Sequence, residues 1–226
     1  MVGPCLRQCV PIDGTVYGVA LDGDDPLGTH SELFSRPPYN AAPATPVLFI
    51  KPRNTFLAHN GIVQLPRSLA EVEANAALAV VFARDTRGVA AAQALSAVAG
   101  YTLAIDLAEP GADFFRPPIR ETCRDGFLPV GPVIVSRDAV DIGNSLLRLE
   151  IDGREAASLS LEGSDERIAK LIEEVSAFMT FRAGDVLLAS RTPLRPCARI
   201  GSRISAVLDG IGRLDCCLGS EEEVKR

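Results

Sequence analysis

The hydrophobic positions of this chain fall into many short runs separated by turn residues, with few long amphipathic stretches. Gly14 to Leu21 (GTVYGVAL) and Val47 to Lys51 (VLFIK) read as strands, and Gly61 to Pro66 as a further brief extended piece. Between the first two, residues 22–46 carry Asp, Gly, Ala and Pro. Pro37, Pro38 and Pro43 forbid regular ladder pairing there, so a long loop is expected. Leu78 to Phe82 (LAVVF) is apolar without alternation, the pattern of a strand buried on both faces. Val89 to Ala99 is Ala-rich and ends at Gly100, which predicts a helix with a glycine stop. Tyr101 to Asp106 reads as a strand ending in an acid. Val133 to Ser136 and Leu146 to Ile151 read as strands, and Asp152-Gly153 as a hairpin-type turn.

One amphipathic helix stands out. Ser164 is placed to cap it, and Asp165 and Glu166 suit its positive N-terminal end. Ile168, Leu171, Ile172, Val175, Phe178 and Met179 share one face at helical spacing, which marks core rather than a cofactor surface. Ala183-Gly184-Asp185 turns into a strand over Val186 to Ala189, and Ile204 to Leu208 is expected to be the last strand, before a glycine-rich turn. The whole reads as a loose arm over residues 1–13, a single domain over 14–218 and a charged tail over 219–226. The class is α+β, rich in β.

Composition narrows the functions. The 226 residues suffice for one domain with a real core, and 19 Gly with 16 Pro favour turns and short strands over long helices. A net charge of −6 leaves no basic stripe to neutralise phosphates, which argues against nucleic acid as a partner. The longest apolar run, Ala76 to Ala83, is far short of the roughly 20 residues that span a bilayer. The N-terminus lacks a basic region followed by an apolar stretch, so a cytoplasmic protein without a membrane partner is expected. The cysteines (Cys5, Cys9, Cys123, Cys197, Cys216 and Cys217) show no zinc spacing and read as free thiols.

Several segments together resemble the fumarylacetoacetate hydrolase family over about Gly14 to Leu218. GTVYGVAL, PPYNAAP (Pro37 to Pro43), LFIKPRNT (Leu48 to Thr55) and CRDGFLPVGP (Cys123 to Pro132) are similar to one branch. That branch isomerises and decarboxylates intermediates of 4-hydroxyphenylacetate breakdown, and the likeness is to its amino-terminal half or the corresponding separate subunit. GYTLAIDL (Gly100 to Leu107), RAGDVLLASRTP (Arg182 to Pro193) and LDGIGRL (Leu208 to Leu214) are similar to motifs of the family at large. The resemblance implies a mixed β-sheet roll with a few helices. It also implies chemistry on 2-oxo acids or their enols, with Mg²⁺ or Mn²⁺ held by two glutamates and an aspartate to polarise the carbonyl.

On this sequence the family pattern Glu-x-Glu-Leu falls on Asn75-Ala76-Ala77-Leu78. Asp106 stands at the aspartate. Asn75 offers only an uncharged oxygen and Ala77 none, so metal binding is expected to be weak or absent. Glu71 or Glu73 would replace them only if the strand slipped by two residues, which burial opposes. The lysine before the Asp-Phe motif reads Thr122, and the Gly-Thr-Pro turn reads Arg191-Thr192-Pro193. Asn-Gly with a downstream glutamine reads Asp152-Gly153 and Ala157.

The candidates that remain are Asp106, Lys51 and His59 for catalysis. Arg116, Arg124 and Thr192 are the candidates for substrate binding, with Arg120 beside them. A cluster of arginines suits a carboxylate substrate because the guanidinium fork matches it in two parallel hydrogen bonds. Surface or interface arginines and a solvated loop histidine are the plainer readings, and His30 belongs with the latter. Cys123 adjoins Arg124, yet its motif holds no histidine base for a nucleophile. Three functions stay open. The chain is a supporting subunit beside a homologous metal-binding subunit, a self-sufficient homodimeric decarboxylase, isomerase or hydrolase on small oxo acids, or a non-catalytic dicarboxylate-binding or scaffold protein.

Overall fold

The computed structural model describes residues 10–21, 37, 41, 43–111 and 118–221. The expected arm, the long loop, the end of the tail, His30, Cys5, Cys9 and Arg116 lie wholly or largely outside them. In chain order the strands are β1 (Val16–Leu21), β2 (Val47–Lys51), β3 (Phe56–Ala58), β4 (Gly61–Leu65), β5 (Glu71–Phe82), β6 (Val98–Ala108), β7 (Leu128–Ser136), β8 (Leu146–Ile151), β9 (Arg154–Ser160), β10 (Val186–Arg191), β11 (Cys197–Arg199), β12 (Arg203–Leu208) and β13 (Gly212–Ser220). The α-helices are α1 (Ala91–Ala94), α2 (Ile119–Thr122) and α3 (Ser164–Ser176).

Two mixed sheets carry these strands. The larger runs β2-β1-β10-β5-β6-β7-β3, with β11 paired to the first part of β5. The smaller runs β4-β13-β12-β8-β9. The pairs β1–β10, β3–β7 and β4–β13 are parallel, and the others are antiparallel. The β-rich α+β class expected from the sequence is what the chain adopts. No helix among the described residues is long and apolar enough to cross a membrane.

β5 explains how the core and the site come to share one strand. Side chains alternate across a strand, and both of its faces are covered. Val72, Ala74, Ala76, Leu78, Val80 and Phe82 enter the large cluster that joins both sheets to α3. Ala77, Ala79 and Val81 enter a second cluster with Val16, Ala104, Leu128, Val130, Val186 and Leu188. Asn75 lies on this second face, two residues from Ala77. Its register partner on β6 is Asp106.

Four sequence expectations change in the folded chain. The helix expected over Val89 to Ala99 shrinks to α1 plus one 3-10 turn at Leu95–Ala97. Val98 to Gly100 are drawn into β6 by pairing with β5, which outweighs local propensity. Gly100 is no helix stop: a Cβ there would lie 2.2 Å from the Val135 carbonyl oxygen, so glycine permits the close approach of β7. The cap of α3 is Gly163, in the left-handed region at φ 69°, and Ser164 is the first helical residue, its hydroxyl accepting from Arg167. The helix ends at Ser176, whose carbonyl accepts from Gly88 N, so Phe178 leaves the packed face and is 63% exposed. Finally, Ile204 to Leu208 is not the last strand. β13 follows, and its polar residues Arg213 and Asp215 lie on one face and bond to each other, which hides it from a hydrophobic pattern.

The Asp152-Gly153 turn is as expected. Both residues have positive φ, 53° and 76°, the geometry of a two-residue hairpin.

Packing between the sheets and α3 depends on aromatic contacts. Phe181 is fully buried, stacks on Phe82 at 4.1 Å and meets Tyr17 edge-on at 5.7 Å. Phe181→Ala should therefore cost about 3–5 kcal/mol by lost transfer energy and a residual cavity. A urea titration monitored by circular dichroism should show a lower midpoint with an unchanged slope.

A candidate active site around Asp106

Asp106 lies two residues before the end of β6, and it is 2% exposed. A buried carboxylate needs cations or donors to remain charged. Here three basic side chains arrive from two other segments. Lys51, the last residue of β2, places Nζ 2.7 Å from Asp106 Oδ1. Arg191, the last residue of β10, places Nη1 2.9 Å from Oδ2. Arg195, in the segment after β10, brings Nη2 to 4.0 Å of the same oxygen. Burial by itself would raise the Asp106 pKa, but Lys51, then Arg191 and Arg195, outweigh it and hold the carboxyl at about 2.

Lys51 is as much a structural clamp as a counter-ion. Its ammonium donates to the carbonyls of Leu107 at 3.0 Å, Thr122 at 2.6 Å and Phe127 at 3.5 Å. Oδ1 of Asp106 takes no well-aligned hydrogen bond, so its contact with Lys51 is an ion pair by distance, with the ammonium protons directed at the carbonyls. Nearby, Asn54 donates to the Cys123 carbonyl at 3.0 Å and to Asp125 at 2.8 Å, while Gly126 N donates to Asn54 O. The two motifs KPRNT and CRDGF are thus clasped to each other beside Asp106.

Asn75 uses its whole amide. Its Nδ2 donates to the carbonyls of Thr192 at 2.7 Å and Leu194 at 3.0 Å, and its Oδ1 accepts from Arg195 Nε at 2.8 Å. Thr192 is buried and crosslinks the same strands: its N donates to Ala76 O and its hydroxyl accepts from Ala76 N at 3.2 Å. Ala77 is fully buried and stands opposite Arg191 in the β5–β10 register. Arg191 also donates to the Val19 carbonyl at 2.7 Å, and its guanidinium lies 5.1 Å from the Phe49 ring centroid.

The remaining candidates lie elsewhere. Arg124 is paired with Glu109 by both Nε and Nη2, so its fork is already engaged. His59 Nδ1 accepts from Asp215 N at 3.0 Å, on the second sheet, and no hydrogen bond or ion pair among the described residues joins it to Asp106. Glu73 faces Gly111 N at 3.2 Å and Arg195 at 3.7 Å, and Glu71 faces Arg199 at 3.5 Å. Asn75, not Glu73, stands across from Asp106, so the strand has not slipped. Among the described residues no group of three or more His, Cys, Asp or Glu is gathered as a metal site.

Of the residues named from the sequence, Lys51 meets Asp106 and the Thr192 carbonyl accepts from Asn75, while Arg195 was not among them. The signal that could have found it is charge balance: an acid at the end of an apolar strand requires cations, and Arg195 lies four residues beyond Arg191.

The fold and the motifs have relatives. A family model described as Fumarylacetoacetate (FAA) hydrolase C-terminal matches residues 15–218, and the chain belongs to the fumarylacetoacetate hydrolase family. Over 213 residues it is 34% identical to the 4-hydroxyphenylacetate degradation bifunctional isomerase/decarboxylase of Salmonella dublin, covering 94% of this chain and 49% of the relative. The Escherichia coli enzyme described by the same words is 32% identical, with 48% of its length covered. The chain therefore spans about half the length of these curated relatives. Among solved structures, 5-carboxymethyl-2-hydroxymuconate delta-isomerase from Mycobacterium smegmatis superposes with a TM-score of 0.73 at 28% identity, covering 95% of this chain and 82% of that one.

The charge on Asp106 has a measurable stability consequence. Its folded pKa, about 2, lies below the ordinary aspartate value of about 3.9. The stabilisation is therefore complete above the unfolded pKa and is lost as pH falls toward 2. About 2 kcal/mol of stability should disappear over that window. Asp106→Asn, which leaves buried cations without a counter-charge, should cost about 3–5 kcal/mol at neutral pH. It should also flatten the acid limb of stability measured by denaturant titration between neutral pH and pH 2.

Proposed function

We propose that this chain is a subunit of an isomerase/decarboxylase that acts on 2-oxo or 2-hydroxy-diene di- and tricarboxylates, in the breakdown of 4-hydroxyphenylacetate. Its own metal site is degenerate, and it works beside a homologous subunit that holds the metal. The observation that carries this reading is the state of the three family ligand positions. Asn75 spends its amide on Thr192, Leu194 and Arg195, Ala77 has no ligand atom, and both oxygens of Asp106 face cations.

Mg²⁺ and Mn²⁺ do not fit such a donor set. Hard cations need several oxygen ligands and shed water reluctantly. One carboxylate already neutralised by lysine and arginine offers little to them, and the nearby guanidinium charges repel them. No step of the reaction is therefore assigned to a metal on this chain. The half-length match to the bifunctional relatives supports the pairing, since a second unit of similar size accounts for the rest of their length. In this reading the chain's residues contribute a rigid, correctly registered half of a pseudo-symmetric assembly. Lys51, Asn54 and Thr192 hold its loops in place.

The test is an assay of the purified full chain with the oxo-tricarboxylate substrate, with and without Mn²⁺, beside the Salmonella dublin relative. A metal Lewis acid contributes several kcal/mol to such chemistry. The isolated chain should therefore fall short of the relative by on the order of 1,000-fold or more, and Mn²⁺ should not change its rate. Full-rate turnover by the chain alone would overturn the proposal in favour of a self-sufficient enzyme.

A further inference from the structure

We infer that Arg191, supported by Lys51 and Arg195, is a built-in cation that has taken over the electrostatic work of the metal at this position of the fold, so that restoring the two glutamates would not by itself restore a metal site. This rests on the reading that the site is degenerate, and goes beyond it by naming what replaced the ion.

The geometry is specific. Arg191 is the direct cross-strand neighbour of Ala77, the position without a ligand atom. From there its Nη1 reaches Asp106 Oδ2 at 2.9 Å. A carboxylate placed at 77 would emerge beside this guanidinium, on the same face of β5 as Asn75. Two further anchors keep Arg191 in place: the Val19 carbonyl at 2.7 Å and the face of Phe49 at 5.1 Å. Phe49 in turn can lie there only because residue 18 is glycine, since a Cβ on Gly18 would sit 2.1 Å from its ring. The arginine is thus packed on one side, bonded on another and ion-paired on a third. Its side chain is 20% exposed, against 76% for the surface residue Arg182.

Asn75 belongs to the same arrangement. By donating to Thr192 O and Leu194 O it fastens the segment that carries Arg195, and it accepts from Arg195 directly. A glutamate at 75 would set a carboxylate against two carbonyl oxygens and lose both donors. The substitutions at 75, 77 and 191 are therefore one coupled change: carboxylates leave, an arginine enters, and an amide ties down the segment bearing a second arginine.

The experiment compares Mn²⁺ binding, by calorimetry and by the paramagnetic resonance signal of free Mn²⁺, in five full-length proteins. These are the wild type, Asn75→Glu/Ala77→Glu, and that pair combined in turn with Arg191→Gly, Arg191→Gln or Arg191→Lys. Circular dichroism and melting curves establish that each is folded. The wild type and the glutamate pair should show no saturable binding at millimolar Mn²⁺. Adding Arg191→Gly or Arg191→Gln should create one site per chain, at least 100-fold tighter, while Arg191→Lys, which keeps the charge, should not. The neutral Gln variant keeps the test decisive if the glycine variant fails to fold.

Equal Mn²⁺ affinity in the glutamate pair with and without Arg191 would overturn the inference and leave the degenerate-site reading standing. Absence of binding in the folded neutral variants would also overturn it. One-to-one binding by the wild type would instead overturn the degenerate-site reading itself.

Discussion

A single buried carboxylate organises the region where this fold brings its functional positions together. Asp106 is nearly inaccessible to water, and a charge so placed is tolerable only with counter-charges at contact distance. Lys51 and Arg191 provide them from the ends of β2 and β10, one at each oxygen of the acid. Each cation also bonds to backbone carbonyls of a third segment: Lys51 to Leu107, Thr122 and Phe127, Arg191 to Val19. The ion pairs therefore do more than neutralise. They fix where β1, β2, β6, β10 and the segment before β7 lie relative to one another.

This dual use gives the motifs around the site a structural role. KPRNT and CRDGF are far apart in the chain but touch in the fold, with Asn54 donating to Cys123 and Asp125 and Lys51 to the Phe127 carbonyl of the second motif. Their side chains close loops that would otherwise leave buried carbonyls without partners. These contacts serve the fold whatever chemistry the site performs. Asn75 and Ala77 on β5 are under a different constraint: nothing in the packing requires carboxylates there. An amide that crosslinks strands and a small apolar residue beneath Arg191 satisfy the local physics.

Membership of the fumarylacetoacetate hydrolase family and the β-rich fold were legible in the sequence because they rest on many positions at once. The strand LLRLEI shows its burial directly, with Leu147 and Leu149 buried and Arg148 and Glu150 between and beyond them at the surface side. The double-sided burial of β5 shows in its unbroken apolar run. The polar strand β13 was not legible, because Arg213 and Asp215 satisfy each other on one face and mimic a turn-rich surface segment. The helix over Val89 to Ala99 failed for the opposite reason: its alanines favour a helix locally, but β5 offers Val98 to Gly100 an edge to pair with.

The sequence by itself determined the fold class and the family, since each of these is a matter of which residue types stand in which order. Only the tertiary structure decided that Asn75 faces Asp106, that Arg191 faces Ala77 and that Arg195 joins them. The first depends on the register of the neighbouring strands β5 and β6, and the others on the approach of a segment 85 or more residues further along the chain. A pattern along one dimension records hydrophobicity and spacing. Which cation answers a buried acid is settled by which distant strand ends converge upon it.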